Sequence, residues 1–113
     1  MKYKKITNSD ITFFIKTLSK ENVFCSDVDL KKYSHDETED LCFYPEVVIK
    51  PDSEHCISKI LNYCNTNLIP VTVCGARTGL SGGSLPLKGG VSLSMERLNN
   101  IISIDERNLQ ATV

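Results

Sequence analysis

All six glycines of this 113-residue chain, Gly75, Gly79, Gly82, Gly83, Gly89 and Gly90, fall within sixteen residues. Glycine costs chain entropy on folding, and it is used where the backbone needs positive φ or must approach something closely. An apolar run, Val71 to Cys74, leads into the first of them, and a second β-like run, Val91 to Met95, follows the last. A cluster pinned at both ends reads as a site and not as a linker. Successive backbone amides in such a turn form an anion nest. Thr78 and Ser81 add hydroxyl donors and Arg77 adds a charge. A doubly negative pyrophosphate suits that donor set, because each amide-to-oxyanion bond is charge-assisted. A tight strand connection that binds nothing is the plainer alternative.

Spacing excludes two well-known phosphate loops. The nucleoside-triphosphate loop needs Gly-Lys-Ser/Thr five residues after its first glycine, and Leu80 stands there. The dinucleotide fingerprint Gly-x-Gly-x-x-Gly opens a helix, but Arg77 occupies its second glycine position. Gly82, Gly83, Pro86, Gly89 and Gly90 also break every helical window before Val91. The pattern is strand, turn, strand.

At these residues the chain resembles a family. Cys74-Gly75-Ala76-Arg77-Thr78-Gly79-Leu80-Ser81-Gly82-Gly83 is similar to the flavin-pyrophosphate loop of the vanillyl-alcohol-oxidase, or p-cresol-methylhydroxylase (PCMH), type FAD proteins. The branch it resembles contains the glycolate oxidase flavin subunit and the D-lactate and D-2-hydroxyglutarate dehydrogenases. Their usual loop is Arg-Gly-Ala-Gly-Thr-Gly-Leu-Ser-Gly-Gly, followed by Gly-Gly-Val, a strand and Arg-Leu/Met-Asn. Gly89-Gly90-Val91, Ser92 to Met95 and Arg97-Leu98-Asn99 supply that sequel. The resemblance implies that Gly75, Ala76, Arg77, Thr78, Gly79, Leu80, Ser81, Gly82 and Gly83 bind FAD. Two positions depart from it: Cys74 replaces the usual Arg and Arg77 the usual Gly. A side chain at 77 is excluded if that residue needs positive φ or touches the diphosphate. Alternatively, Arg77 swings out and pairs with a phosphate oxygen.

The elements that must position this loop follow from periodicity. Val47-Val48-Ile49 is a β-branched run that reads as a buried strand. Asp52 or Ser53 caps the helix after it, with Ile57, Ile60, Leu61 and Cys64 as the inward stripe. Asn65-Thr66-Asn67 ends that helix and Pro70 introduces the strand Val71 to Cys74. Strand, helix, strand is a right-handed parallel βαβ unit, which puts the glycine turn at the C-terminal end of its second strand, where such sheets bind ligands. Val91 to Met95 alternates, predicting a strand with Val91, Leu93 and Met95 on one face. Strands are also expected at Ile101 to Ile104 and Leu109 to Val113. Upstream, Asn8 or Ser9 caps a helix with Ile11, Phe14, Ile15 and Leu18 on one face. Val23 to Cys25 reads as a short extended piece, and Asp27 to Lys32 as a helical turn. Tyr33 to Asp40 is an acidic loop whose charges read as solvated; the resemblance has Tyr33 and Asp36 lead the chain into the flavin domain. No catalytic role falls to His35.

The expected fold is α+β of α/β type: a βαβ unit with a small, mainly parallel sheet and flanking helices, the first subdomain of a PCMH-type FAD domain. Residues 1–32 form an N-terminal helical segment and 33–113 the first lobe. With 41% hydrophobic and 24% charged residues and a net charge of −1, composition gives no electrostatic case for nucleic acid or an anionic membrane. The basic start runs into polar Thr7 to Asp10, not an apolar signal core, and no apolar run approaches membrane-spanning length. A cytoplasmic, soluble chain is expected. Five cysteines without a Cys-x-x-Cys support neither a disulfide framework nor a zinc site; Cys74, beside the loop, is the one to test for reactivity.

The resembling enzymes continue beyond this sequence into the second half of the flavin domain and a substrate domain. The resemblance therefore implies the N-terminal, FAD-anchoring lobe of an FAD-dependent 2-hydroxy-acid dehydrogenase, with no catalytic residue in this chain. The partners are FAD and, in the whole enzyme, a small 2-hydroxy acid. Binding of FAD by the lobe alone is expected to be weak or absent. An uncovered sheet edge favours a homo-oligomer. The alternative reading is a non-enzymatic α/β module that keeps the fold and no longer binds flavin.

Overall fold

Val47, Val48 and Ile49 are wholly buried, as an uninterrupted β-branched run requires of a strand covered on both faces. The computed structural model describes residues 2–38, 41–79 and 82–113. Its elements are α1 (Asn8–Leu18), a 3-10 turn (Lys20–Asn22), β1 (Val23–Phe24), α2 (Asp27–Lys32), β2 (Val47–Ile49), α3 (Glu54–Thr66), β3 (Val71–Cys74), β4 (Val91–Ser94), β5 (Ser103–Asp105) and β6 (Gln110–Thr112). The main sheet has the order β1-β2-β4-β3; β1 is antiparallel to β2, and β2, β4 and β3 run parallel. A mixed α/β lobe with a small, mostly parallel sheet is what the sequence predicts. The two strands of the βαβ unit do not pair, however, because β4 lies between them.

That insertion corrects the reading of β4. Alternation predicts one buried face, whereas all four residues are buried, Ser92 and Ser94 with no exposed surface. A strand with neighbours on both sides and cover on both faces has no solvent side left for its serines. One face carries the main core, where Phe14 and Leu18 of α1 and Ile60 and Cys64 of α3 meet Val47, Ile49, Val91 and Leu93. The other face packs Tyr33, Val48 and Cys74, flanked by Phe24 and Leu30. Residues 1–32 thus share their core with the rest of the chain.

Both long helices are capped close to where the sequence places the caps. Ser53 accepts from the Cys56 amide at 3.3 Å. For α1 the cap is Thr7, not Asn8 or Ser9, and the Thr7 amide donates to Asp10 Oδ2 at 2.8 Å. The inward stripe of α3 is shifted from the one expected. Leu61 is 42% exposed, and Tyr63 turns inward instead, stacked on Phe13 with centroids 3.9 Å apart. Its hydroxyl finds a buried acceptor there, which leucine could not use. That acceptor is Asp10, fully buried, which takes Tyr63 Oη at 2.6 Å, Lys4 Nζ at 2.7 and 2.9 Å, and the Thr7 hydroxyl at 3.0 Å.

The second glycine pair works at the base of the sheet. Gly89 and Gly90 have φ of 73° and 71°. A Cβ built on Gly90 would collide with the Pro70 carbonyl oxygen and stand 2.7 Å from Pro70 Cγ. Glu46 Oε2 accepts from the Gly90 amide at 2.9 Å while its Oε1 accepts from Ile6 at 3.3 Å. The glycine cluster is therefore two devices at opposite ends of parallel strands, one structural and one at the C-terminal edge.

The last two strands form a separate antiparallel hairpin with Ile104 opposite Ala111. Ile102 and Val113 share their face by the two-residue period, and Ile102, Ile104 and Val113 are 71%, 67% and 85% exposed.

Asp10 gives the fold a testable weak point. Burial alone would raise its pKa, but the bonds from Lys4, Tyr63 and Thr7 outweigh it and hold the carboxyl at about 2. A depressed folded-state pKa gives stability that is complete above about pH 4 and lost as pH falls towards 2. Asp10→Ala is expected to lose roughly 1–3 kcal/mol at pH 7, since a buried carboxylate and its bonds to Lys4, Thr7 and Tyr63 are removed together. In urea unfolding followed by circular dichroism, the gap between wild type and Asp10→Asn should close between pH 4 and pH 2.

Candidate functional site

The β3 ladder closes with the Met95 amide donating to the Cys74 carbonyl at 3.0 Å, and the chain leaves the sheet at Gly75. Among the described residues, none of the amides of Gly75, Ala76, Arg77, Thr78, Gly79, Gly82 and Gly83 donates a hydrogen bond within the protein. Gly75, Ala76, Thr78, Gly79 and Gly83 are exposed. Leu80 and Ser81, also expected in the site, lie outside the described residues. The loop is held from behind: the Glu37 amide donates to the Gly79 carbonyl at 3.2 Å and the Leu85 amide to the Gly82 carbonyl at 3.1 Å.

Three of the four glycines of the loop are not required by the protein itself. Gly82 has φ of 74°, which favours glycine. Gly75, Gly79 and Gly83 lie outside the left-handed region, and a Cβ built on each meets no atom within 4 Å. Neither conformation nor internal crowding asks for glycine at those three positions.

Arg77 answers the question its sequence position raises. It does adopt φ of 60°, yet it carries a side chain, which turns back into the protein. The guanidinium carbon lies 4.4 Å from the centroid of the Tyr33 ring, and Nη1 donates to the Lys32 carbonyl at the end of α2. Tyr33 is 2% exposed and its hydroxyl donates to Glu96 Oε1; Lys50 pairs with Glu96 Oε2 at 3.1 Å. The Tyr33 hydroxyl and then Lys50 hold Glu96 down at about 2.

Tyr33 and Arg77 are marked by the sequence, whereas their link through Lys50 and Glu96 is not. Its signal was positional: Lys50 is the first residue past β2, and Glu96 stands just beyond β4, both at the C-terminal edge that also carries the loop. Asp36 is another departure, since it is buried and not solvated. It accepts from the Thr38 amide at 2.7 Å and the Ser84 hydroxyl at 3.5 Å, bracing the far side of the loop. His35, Asp36, Glu37, Ala76 and Arg77 line a shallow concavity of about 220 Å³. Its carboxylates disfavour a second anion there. Glu39 and Asp40 of the same acidic loop lie outside the described residues.

With this geometry in view, residues 45–113 match the model of the FAD binding domain family, so the chain belongs to that family. It is 36% identical over 110 residues to D-lactate dehydrogenase of Anaerostipes hadrus, covering 94% of this chain and 22% of that protein. It is 37% identical over 99 residues to glycolate oxidase subunit GlcD of Bacillus subtilis, covering 88% of this chain and 21% of that protein. The chain thus spans about a fifth of the length of these relatives. Among solved structures, alkyldihydroxyacetonephosphate synthase shares the fold at a TM-score of 0.81 and 12% identity, over 97% of this chain and 24% of that one. The 4-ethylphenol oxidase of Gulosibacter chungangensis matches at 0.75 and 25% identity, over 95% of this chain and 22% of that one. The resemblance stated from the loop is thereby confirmed, with FAD as the family's cofactor.

The residues present fit that cofactor. Uncommitted amides and side-chain-free positions at a strand end are the donor set a diphosphate needs. Among the described residues, no helix is long and apolar enough to cross a membrane, and no group of three or more His, Cys, Asp or Glu could hold a metal.

Cys74 is poorly placed for reactivity. It is 2% exposed, and burial pushes its thiol up to about 11 against the pull of Arg77. Iodoacetamide at pH 8 should label the exposed Cys25 and Cys42 first and leave Cys74 unmodified until the protein unfolds, as peptide mass mapping would show.

Proposed function

We propose that residues 75–83 hold the diphosphate of FAD, and that this chain is the cofactor-anchoring N-terminal lobe of an FAD-dependent 2-hydroxy-acid dehydrogenase of the glycolate or D-lactate type. One observation carries the reading: Gly75, Gly79 and Gly83 are glycines that neither φ nor packing demands. A requirement that does not come from inside the chain comes from what approaches it. The names of the curated relatives support the activity.

Within this reading, bound FAD supplies a centre that accepts hydride from the carbon bearing the substrate hydroxyl. The chain's own residues bind and orient. The loop amides donate to the diphosphate oxygens, while Tyr33, Lys50 and Glu96 keep the strand ends beneath the loop in register. Residues 33–113 form the cofactor lobe, and 1–32 brace it through Phe14 and Leu18. No residue here is assigned to catalysis or to the hydroxy acid. All five cysteines are free, as suits a protein of the reducing cytoplasm. The outer edge of β3 and the apolar hairpin face are where a second copy would add to make an oligomer.

The test separates stability from binding. Gly75→Ala, Gly79→Ala and Gly83→Ala are each expected to change stability by no more than about 0.5 kcal/mol, as for open surface sites. Each should weaken FAD binding at least tenfold, read from amide chemical shifts during titration to millimolar FAD. Gly90→Ala, by contrast, should lose at least about 3 kcal/mol through strain and collision with Pro70. Alanine variants that bind FAD as well as wild type would sink the reading and leave an α/β module without flavin.

A further inference from the structure

We propose that Arg77 is a positioning residue: a latch that fixes the shape of the glycine loop from within the protein, and not a ligand of the anion. The proposal rests on the diphosphate reading above and adds how this chain keeps its loop amides arranged.

The backbone at 77 sits where glycine is at home and other residues are strained, with φ of 60°. Something must hold an arginine there, and two contacts do. Its guanidinium lies over the Tyr33 ring at 4.4 Å, close enough for cation–π attraction. Nη1 donates to the Lys32 carbonyl, one of the acceptors that a helix C-terminus leaves without an intrahelical partner. Nε is buried, with no acceptor among the described residues. A guanidinium committed this way points its charge into the protein and away from the loop's outer face.

The seat of the latch is itself fixed. Tyr33 is 2% exposed, and its hydroxyl is tied to Glu96. Glu96 is paired with Lys50, whose ammonium lies 4.8 Å from the Phe24 ring. The ends of α2, β2 and β4 therefore converge on one side chain of the β3 loop. Cys74, the residue before the loop, is packed with Tyr33 and Val48 in the same cluster. Lysine could not replace the arginine, since it has no planar group that can stack and donate at once. Glycine would accept the φ but leave the loop unanchored.

Two-dimensional 1H–15N spectra of the chain, with FAD as the probe, test this. In wild type, the Arg77 Nε–H signal should be protected from exchange and displaced upfield by the Tyr33 ring. Titration should move the amides of residues 75–79 and leave that Nε signal in place. Arg77→Gly, Arg77→Lys and Tyr33→Leu should each weaken FAD about tenfold and lower the heteronuclear NOE of the loop, with α1 and α3 signals unchanged. Tyr33→Phe, which keeps the ring, should retain most of the affinity and the upfield shift. If Arg77→Gly binds FAD equally or more tightly, or the Nε signal follows the ligand, the latch is overturned while the diphosphate reading stands. If wild-type loop amides ignore FAD both in this chain and in the full-length enzyme, the diphosphate reading falls and the positioning role falls with it.

Discussion

The close approach of Gly90 to Pro70 is the constraint on which the rest of this fold depends. With no side chain in the way, the Val91 amide reaches the Pro70 carbonyl at 2.9 Å. On the other side, the Gly90 carbonyl accepts from the amides of Glu46 and Val47 at 2.8 and 3.3 Å. One residue thus starts β4 against both neighbours at once, setting Val91 level with Val47 and Val71. The three parallel strands begin in line, and β2 ends one residue short of β4 and β3. What lies beyond their C-terminal ends, namely Lys50, Gly75 and Glu96, is brought to a single edge. A side chain at 90 would push β4 away from β3, and the edge would lose its middle.

Much of this architecture is legible in local sequence, because it follows from periodicity and caps. The β-branched run at 47–49, the Ser53 cap and the apolar stripe of α1 are each short-range facts. The strand order is not, since β4 carries serines at every second position and so looks like a half-exposed strand. Nothing within five residues says that it will be flanked on both sides. Asp10 is hidden for a similar reason: one of its partners, Tyr63, is 53 positions away, and its burial arises only in the fold. Tyr33 and Glu96 are 63 positions apart.

The glycine cluster shows how composition can be informative and still be over-read. Density within sixteen residues suggests one site. The structure divides it by physical cause: Gly89 and Gly90 by positive φ, Gly90 also by a neighbouring carbonyl, and Gly75, Gly79 and Gly83 by neither. The negative result is the informative one. Glycines that satisfy an internal need explain themselves; the other three keep their significance only if something outside the chain comes close. Arg77 sharpens the same point. It holds a left-handed conformation with a side chain, so positive φ in this loop does not by itself demand glycine when a guanidinium can be anchored.

The electrostatics of the edge favour dipoles over charges as the means of holding an anion. Lys50 is paired with Glu96, and the Arg77 guanidinium is seated on Tyr33 and the Lys32 carbonyl. Asp36 is occupied by the Thr38 amide and the Ser84 hydroxyl. The full charges near the loop are thus largely committed to the protein, while its backbone amides have no partner among the described residues. Fixed dipoles need little reorganisation when an anion arrives, and they act at short range. A net charge of −1 offers little long-range attraction for a dianion in any case. Such a loop is suited to a ligand that is bound once and kept, as a cofactor is, more than to one captured and released at every turnover. The tolerance of a committed arginine at its centre follows from the same arrangement: the loop does not need that charge, only the shape it imposes.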